Sequence, residues 1–202
     1  MKLLSIQEKH MAMKPVEEKK GLCKYFLELF FIEGKGKETV GAEIKSVIKL
    51  GEKGKETLTI TYDIKLSFSD LEKVIHHAGD RIKVAGDILD FADLFMQDDA
   101  FPYDEAAVKK RIIDPPEAIP LLLAFRKELE KQEDFRHQAL EQLMQNFLQS
   151  RNRKIADIIH ALRLAVTGKS VGLGMFETLE ILGKKRVLRR IDRTLAGTSP
   201  EH

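Results

Sequence analysis

The feature that most constrains the fold of this chain is a helical spacing of apolar residues, which returns along most of its 202 positions. Apolar side chains recur every three or four residues, the period that places them on one face of an α-helix. The stretches with this period are 16–33, 71–77, 81–96, 106–113, 117–132, 135–150, 154–166 and 175–197. The sequence therefore predicts a mainly α-helical protein.

Residues at the ends of these stretches agree with helix boundaries. Ser69 and Asp104 are small polar residues of the kind that cap a helix N-terminus, the second ahead of AAVKKRII. Pro115-Pro116 ends that helix, because proline cannot continue the backbone hydrogen bonding. Gly197 stands where a helix C-cap glycine is expected.

One segment has a different period. In TLTITYDIKLSF, residues 57–68, apolar side chains alternate strictly with polar ones, which is typical of a half-buried strand. Even positions upstream, from Val40 to Leu50, fit a strand or a short helix. With GEKGKE between the two runs, we predict a β-hairpin over residues 38–68.

The stretch AVTGKSVGLGMF, residues 165–176, contains a Gly-Lys-Ser that resembles the end of a phosphate-binding P-loop. A P-loop needs a glycine five residues before Gly168, where this chain has Arg163, and it follows a strand rather than a helical pattern. We therefore predict a tight loop over 167–174, followed by a helix from about Met175. The exposed N–H groups of this loop suit a phosphate or an unstacked base. A purely structural turn between two helices remains the alternative.

Charge is distributed unevenly along the chain. The formal net charge is +2, but residues 151–195 hold eleven Lys or Arg and only four Asp or Glu. A basic end on a nearly neutral chain fits a polyanionic partner, although a solvated basic helix face explains it equally well.

Other function classes find little support in the sequence. Cys23 is the single cysteine, which excludes an internal disulfide and a cysteine-based zinc site and suggests a reducing, cytoplasmic compartment. The apolar runs are too short for a membrane span, and the N-terminus is a poor signal peptide. His76 and His77 point about 100° apart on a helix, so they predict no metal site. No catalytic constellation is recognisable.

The segment around the glycines resembles a known family. HALRLAVTGKSVGLGMF from His160, followed by ETLEILGKKRVL, resembles the C-terminal signature of bacterial glutamyl-tRNA synthetases. QEKHMAMKPVEEKKGLCKYFLE and GDRIKVAGDILDFADLFMQDDAFPYDEAAVKK resemble further pieces of the same family in the same order, and the helices of 116–152 match in length. The resemblance covers about 14–36 and 69–197.

This resemblance implies the anticodon-binding region of such an enzyme, the α-helix cage of two packed helical subdomains. It places the first subdomain at 1–103, the second at 104–197 and a frayed tail at 198–202. The hairpin of 38–68 is then an insertion where family members have a short loop. The catalytic HIGH-type and KMSKS-type motifs are missing, so we expect no catalysis by this chain alone. ATP and Mg²⁺ would belong to a separate catalytic domain, and this chain would hold no cofactor or metal of its own.

The resemblance also implies site residues. Arg81 occupies the place of an arginine that reads the first anticodon base. Residues matching the anticodon pocket are His160, Arg163, Thr167, Gly172, Leu173, Met175 and Phe176. Several family members have Thr-Pro where this chain has Gly172-Leu173, so a hydroxyl contact is lost there. For the RNA backbone, the basic segment offers Lys169, Lys184 and Arg190.

The expected partner is therefore tRNA-Glu, together with a synthetase catalytic domain, rather than DNA or a membrane. Two alternatives stay open on the sequence. A truncated paralogue could bind RNA without serving aminoacylation, or the helices could form a protein-interaction module whose basic face meets an acidic protein.

Overall fold

The computed structural model describes residues 14–32, 68–99 and 101–198. Within these ranges the regular structure is helical, which confirms the predicted mainly α-helical class. The predicted hairpin lies outside the described residues except for Phe68, which begins a helix instead of ending a strand. The described residues form two compact units: the first holds those before position 101 apart from 76–78, and the second holds 76–78 and the rest. The domain boundary at 103/104 stays a prediction.

The first unit contains helix α1 (Val16–Ile32) and most of helix α2 (Phe68–Ala78), followed by 3-10 segments Gly79–Arg81 and Ala85–Leu94. Helix α1 packs against the Ala85–Leu94 segment. Cys23 and Leu27 of α1 and Ile88 of the 3-10 segment are completely buried. Burial of these apolar side chains stabilises the unit.

The helical pattern of residues 81–96 is confirmed only in part. The segment forms 3-10 turns rather than a continuous α-helix, and Phe91 departs from helical geometry at φ −113° and ψ 15°. Asp87 explains the interruption at its start, since its carboxylate accepts the backbone N–H groups of Lys83 and Val84 at 2.8 and 2.9 Å. Local side-chain bonding of this kind competes with the α-helical ladder.

The second unit is built from the remaining helices. They are α3 (Glu105–Val108), a π-helical turn (Lys109–Ile113), α4 (Ala118–Lys131), α5 (His137–Gln149), a 3-10 turn (Ile155–Asp157), α6 (Ile159–Thr167) and α7 (Met175–Gly197). Helices α4, α5 and α6 each pack against α7. Helix α7 is interrupted at Gly183, whose φ of 73° and ψ of 159° are open almost only to glycine.

The predicted helix ends have mixed outcomes. The Asp104 cap is confirmed, because its carboxylate accepts the N–H of Ala107 at 3.0 Å. The π-helical turn ends at Ile113, just before Pro115-Pro116 as expected. The C-cap prediction for Gly197 is wrong: Gly197 is the last residue of α7, and Thr198 follows as the C-cap with φ −105°. Because the helix does not end on a left-handed residue at Thr198, a glycine is not required at this position.

The N-terminus of α5 is capped by a distant residue instead of a local one. The Glu180 carboxylate of α7 accepts two hydrogen bonds from His137, one from its backbone N–H at 2.8 Å and one from its ring Nδ1 at 3.0 Å. Burial acts to raise the pKa of Glu180, but the hydrogen bonds from His137 outweigh it and hold that pKa below its usual value. This contact joins α5 to α7.

Candidate nucleic-acid interface

The glycine loop, residues 168–174, joins α6 to α7; the sequence predicts this loop one residue too early, since Thr167 is the last residue of α6. Gly168 is the C-cap of α6, with φ 75° and ψ −2° in the left-handed region. A Cβ built on Gly168 would lie 2.0 Å from the backbone oxygen of Pro102. Both the backbone conformation and this close approach therefore require glycine, and a phosphate is not needed to explain it.

The other end of the loop is fixed by Arg163. Its Nη1 donates to the backbone oxygen of Leu173 at 2.8 Å. The same Nη1 would lie 3.3 Å from a Cβ at position 172, so Gly172 leaves room for the guanidinium. Arg163 is partly exposed, and the hydrogen bond shows that it shapes the loop from within.

The Thr167 hydroxyl is also engaged inside the loop. Its Oγ1 donates to the backbone oxygen of Arg163 at 2.8 Å and lies 3.2 Å from that of Lys169. Thr167 is only 3% exposed. A hydroxyl with these internal acceptors, on a side chain this buried, is poorly placed to contact a ligand.

Three predicted site residues line the transition into α7. Leu173 and Met175 are 2% and 5% exposed, so their side chains belong to the core beneath the loop. Phe176 is partly exposed, as stacking on a base would require. The N-terminus of α7 is less open to phosphate than the sequence suggests: a Cβ on Gly174 would meet Glu177 Oε2 at 2.0 Å, which places an acidic group beside the positive end of the helix.

The loop presents a residue that sequence reasoning did not single out. Val171 is 74% exposed at its tip. His160, in the first turn of α6, is also exposed. A valine among Lys, Ser and Gly gives no periodic signal, so only the structure identifies it as the most exposed large apolar side chain in the described ranges.

The predicted RNA-backbone residues divide into two groups. Lys169 and Lys184 are partly exposed. Arg190 is 0% exposed, and its Nη1 donates to the backbone oxygen of Val166 at 2.7 Å. A guanidinium buried in this way does not reach an RNA backbone, so the interpretation of Arg190 as a phosphate contact is wrong.

Arg81 lies in the first unit, whereas the other predicted site residues lie in the second. It ends the 3-10 turn Gly79–Arg81, where Gly79 adopts φ 51° and Ile82 N–H donates to the Gly79 oxygen at 3.2 Å. Its side chain is exposed. The exposed position suits a contact with a partner, and the anticodon-reading role stays a prediction.

Two other features bear on function. No described residues bring three His, Cys, Asp or Glu side chains together as a metal site would. Within the same ranges, no helix is long and apolar enough to cross a membrane.

Comparison with known proteins identifies the family. Glutamate–tRNA ligase from Pelodictyon phaeoclathratiforme is 34% identical over 167 residues, which are 82% of this chain and 32% of that protein. Glutamate–tRNA ligase 2 from Caldicellulosiruptor saccharolyticus is 35% identical over 115 residues, 57% of this chain and 23% of that one. The chain thus spans about a quarter to a third of the length of these relatives.

The fold is shared with a solved structure. A crystal structure of a glutamate tRNA ligase from Elizabethkingia meningosepticum in complex with its amino acid aligns with a TM-score of 0.69 and 15% identity, over 97% of this chain and 32% of that one. The family model described as anticodon binding domain matches residues 41–195. Because this match spans most of the sequence, the chain belongs to the anticodon-binding domain family.

Proposed function

We propose that this chain recognises the anticodon stem-loop of tRNA-Glu, as the anticodon-binding part of a glutamate–tRNA ligase, and so supports the glutamylation of tRNA. The observation that carries the proposal is the anticodon-binding family match over residues 41–195. The relatives named above are glutamate–tRNA ligases, which supports tRNA-Glu as the partner.

Features of the second unit support an RNA ligand. Its C-terminal segment, 151–195, has an excess of seven positive charges. Lys169 in the glycine loop and Lys184 in α7 are accessible to solvent, as contacts with a phosphate backbone require. Phe176 and Val171 offer an aromatic face and an apolar side chain near the same loop, and unstacked anticodon bases bind such groups.

The reaction itself would take place elsewhere. ATP, Mg²⁺ and glutamate would bind a synthetase catalytic domain, since this sequence carries none of the motifs for them. We also propose a cytoplasmic location for this chain, in line with its single cysteine.

Arg81 is the residue on which specificity for the first anticodon base would depend. Its guanidinium is a planar fork of donors that can hydrogen-bond a base edge and stack on a base. A good bidentate contact of this type contributes about 1–3 kcal/mol of discrimination between bases. Glutamine in its place is shorter and uncharged, and lysine keeps the charge but loses the fork.

The test is a binding titration against tRNA-Glu anticodon stem-loops that differ only at the first base. We expect Arg81→Gln and Arg81→Lys to reduce the preference between these RNAs by roughly fivefold or more, with a smaller loss of overall affinity. Lys83→Gln is the matched control, because Lys83 is exposed two residues after Arg81, just beyond the 3-10 turn. It should lower the affinity for all the RNAs alike.

Each contrary result has a specific meaning. Identical ranking of the RNAs by all four proteins would show that Arg81 does not read the base. Binding that ignores the anticodon but weakens steeply with salt would support a general RNA-binding paralogue. No binding to any tRNA would refute the proposed function and favour the protein-interaction alternative.

A further inference from the structure

The carboxyl end of α6, from which the glycine loop begins, is held by side chains of α7. The last carbonyl groups of a helix have no partner within the helix and need one elsewhere. Here Thr194 Oγ1 donates to the Ala165 oxygen at 3.2 Å and Arg190 Nη1 donates to the Val166 oxygen at 2.7 Å. The direction in which the chain leaves α6 is therefore set by two residues of another helix.

Arg190 is built into this position. Its side chain is completely buried, and its Cζ lies 4.4 Å from the centre of the Phe101 ring. The Arg193 Cζ lies 4.7 Å from the same ring, so Phe101 contacts two guanidinium groups. An aromatic face and a helix C-terminus are both favourable surroundings for a buried cation.

The segment that carries Phe101 fixes the first residue of the loop. Asp104 N–H donates to the Gly168 oxygen at 2.7 Å. Tyr103 Oη lies 2.8 Å from Thr194 Oγ1, and Arg193 Nη1 donates to the Phe101 oxygen at 2.9 Å. Residues 101–104, the end of α6 and one face of α7 thus form a single hydrogen-bonded cluster beneath the loop.

We propose that Arg190 is a positioning residue for the glycine loop: without touching RNA, it fixes the loop in the conformation that discriminates between anticodons. The inference rests on the proposed function for its RNA-binding part. It follows from the short span of the loop, whose seven residues are held by Arg190 through α6 at one end and by the Arg163–Leu173 hydrogen bond at the other. Loss of the Arg190 contact weakens the hold on one end, where the Asp104–Gly168 hydrogen bond remains, and so allows the loop more conformations. A less ordered loop distinguishes related ligands less well.

Two measurements on Arg190→Met test the proposal. The first is amide hydrogen exchange of the free protein, in which residues 168–174 should exchange on the order of tenfold faster relative to α4, the loss expected for one hydrogen bond. The second is the affinity ratio between the cognate stem-loop and stem-loops altered at the second or third anticodon base, since the first base is assigned to Arg81. This ratio should fall by threefold or more while the salt dependence of binding stays unchanged. Methionine keeps the apolar stem and removes the donors.

Two further variants keep the test decisive. Thr194→Val removes one hydroxyl from the same cluster at nearly constant volume and should change loop exchange and discrimination in the same direction, which covers the case that Arg190→Met does not fold. Lys184→Ala is the control for a phosphate contact. It should reduce the slope of log affinity against log salt by about 1 and leave loop exchange and discrimination as in the wild type.

The outcomes separate the inference from the proposed function. If the wild type discriminates between anticodons, and Arg190→Met and Thr194→Val keep both that ratio and the loop exchange, the inference is wrong. A lower melting temperature with unaltered loop exchange and ratio would assign Arg190 a purely structural role and overturn it as well. If the wild type binds no RNA, the proposed function fails, and the exchange measurement still decides whether Arg190 orders the loop.

Discussion

Replacement of Gly168 by alanine tests the close packing of the glycine loop most directly. The left-handed backbone at φ 75° costs a residue with a Cβ about 1–2 kcal/mol. The new Cβ would also lie 2.0 Å from the Pro102 backbone oxygen and 3.1 Å from Phe101 Cδ2. Relief of that overlap requires backbone movement, at about 1–3 kcal/mol, and displaces the Asp104–Gly168 hydrogen bond, worth about 1 kcal/mol.

The expected loss for Gly168→Ala is therefore about 3–6 kcal/mol. The assay is urea unfolding together with thermal melting, where each kcal/mol lowers the melting temperature of a unit of about 100 residues by roughly 4–8 °C. Gly183→Ala is the control for backbone conformation alone, because Gly183 has φ 73° but nothing within 4 Å of the added Cβ. Its cost should be about 1–3 kcal/mol.

Gly197→Ala provides a control in the same unit that should raise the stability rather than lower it. Gly197 is helical and has open space around it, so alanine should stabilise the protein by about 0.5–1 kcal/mol. If Gly168→Ala destabilises no more than Gly183→Ala, the close approach to Pro102 does not constrain the loop, and the structural explanation of this glycine is incorrect.

Two further predictions concern titratable groups. The depressed pKa of Glu180 means that its carboxylate stabilises the fold above about pH 4.3 and loses that effect as the pH falls. Glu180→Gln should therefore be about 1 kcal/mol less stable than the wild type at pH 7, and this difference should become smaller on acidification. A difference in melting temperature between the two proteins that stays constant from pH 7 to 3 would contradict this. Burial, with a smaller effect of Asp87, raises the pKa of the Cys23 thiol to about 11. Iodoacetamide at pH 8 should therefore label Cys23 only after denaturation. Rapid labelling of the folded protein would show that α1 opens.

The sequence predicts the helices well where periodicity and end signals agree. Helix α1 is found at Val16–Ile32 against a prediction of 16–33, and α4 at Ala118–Lys131 against 117–132. It predicts Ala85–Leu94 less well, because apolar spacing does not distinguish a 3-10 helix from an α-helix when a local carboxylate binds the backbone.

Arg190 shows why the candidate site is harder to predict than the fold. Its positive charge indicates exposure, but the apolar spacing of α7 carries the opposite signal: Val187, Arg190, Ile191 and Thr194 are all buried, at intervals of three, one and three residues. The spacing of the buried residues, and not the charge, indicates the burial of Arg190 correctly. Charge misleads because a guanidinium can be buried where carbonyl groups and an aromatic ring surround it, and those partners come from parts of the chain that are distant in sequence.

The three glycines of the loop differ in how far the structure requires them. Gly168 is required by its backbone conformation and by Pro102, and Gly172 leaves room for the Arg163 guanidinium. Gly174 has φ −50°, which any residue can adopt, and the three atoms nearest to a Cβ there belong to the flexible Glu177 side chain. Turn geometry and packing thus explain Gly168 and Gly172 without a ligand, whereas neither of them requires a glycine at position 174. Under the proposed function, the contribution of the loop to RNA binding would come from the side chains that it leaves exposed, above all Val171, while Arg190 and Arg163 hold the loop in place and Arg81 reads the first base.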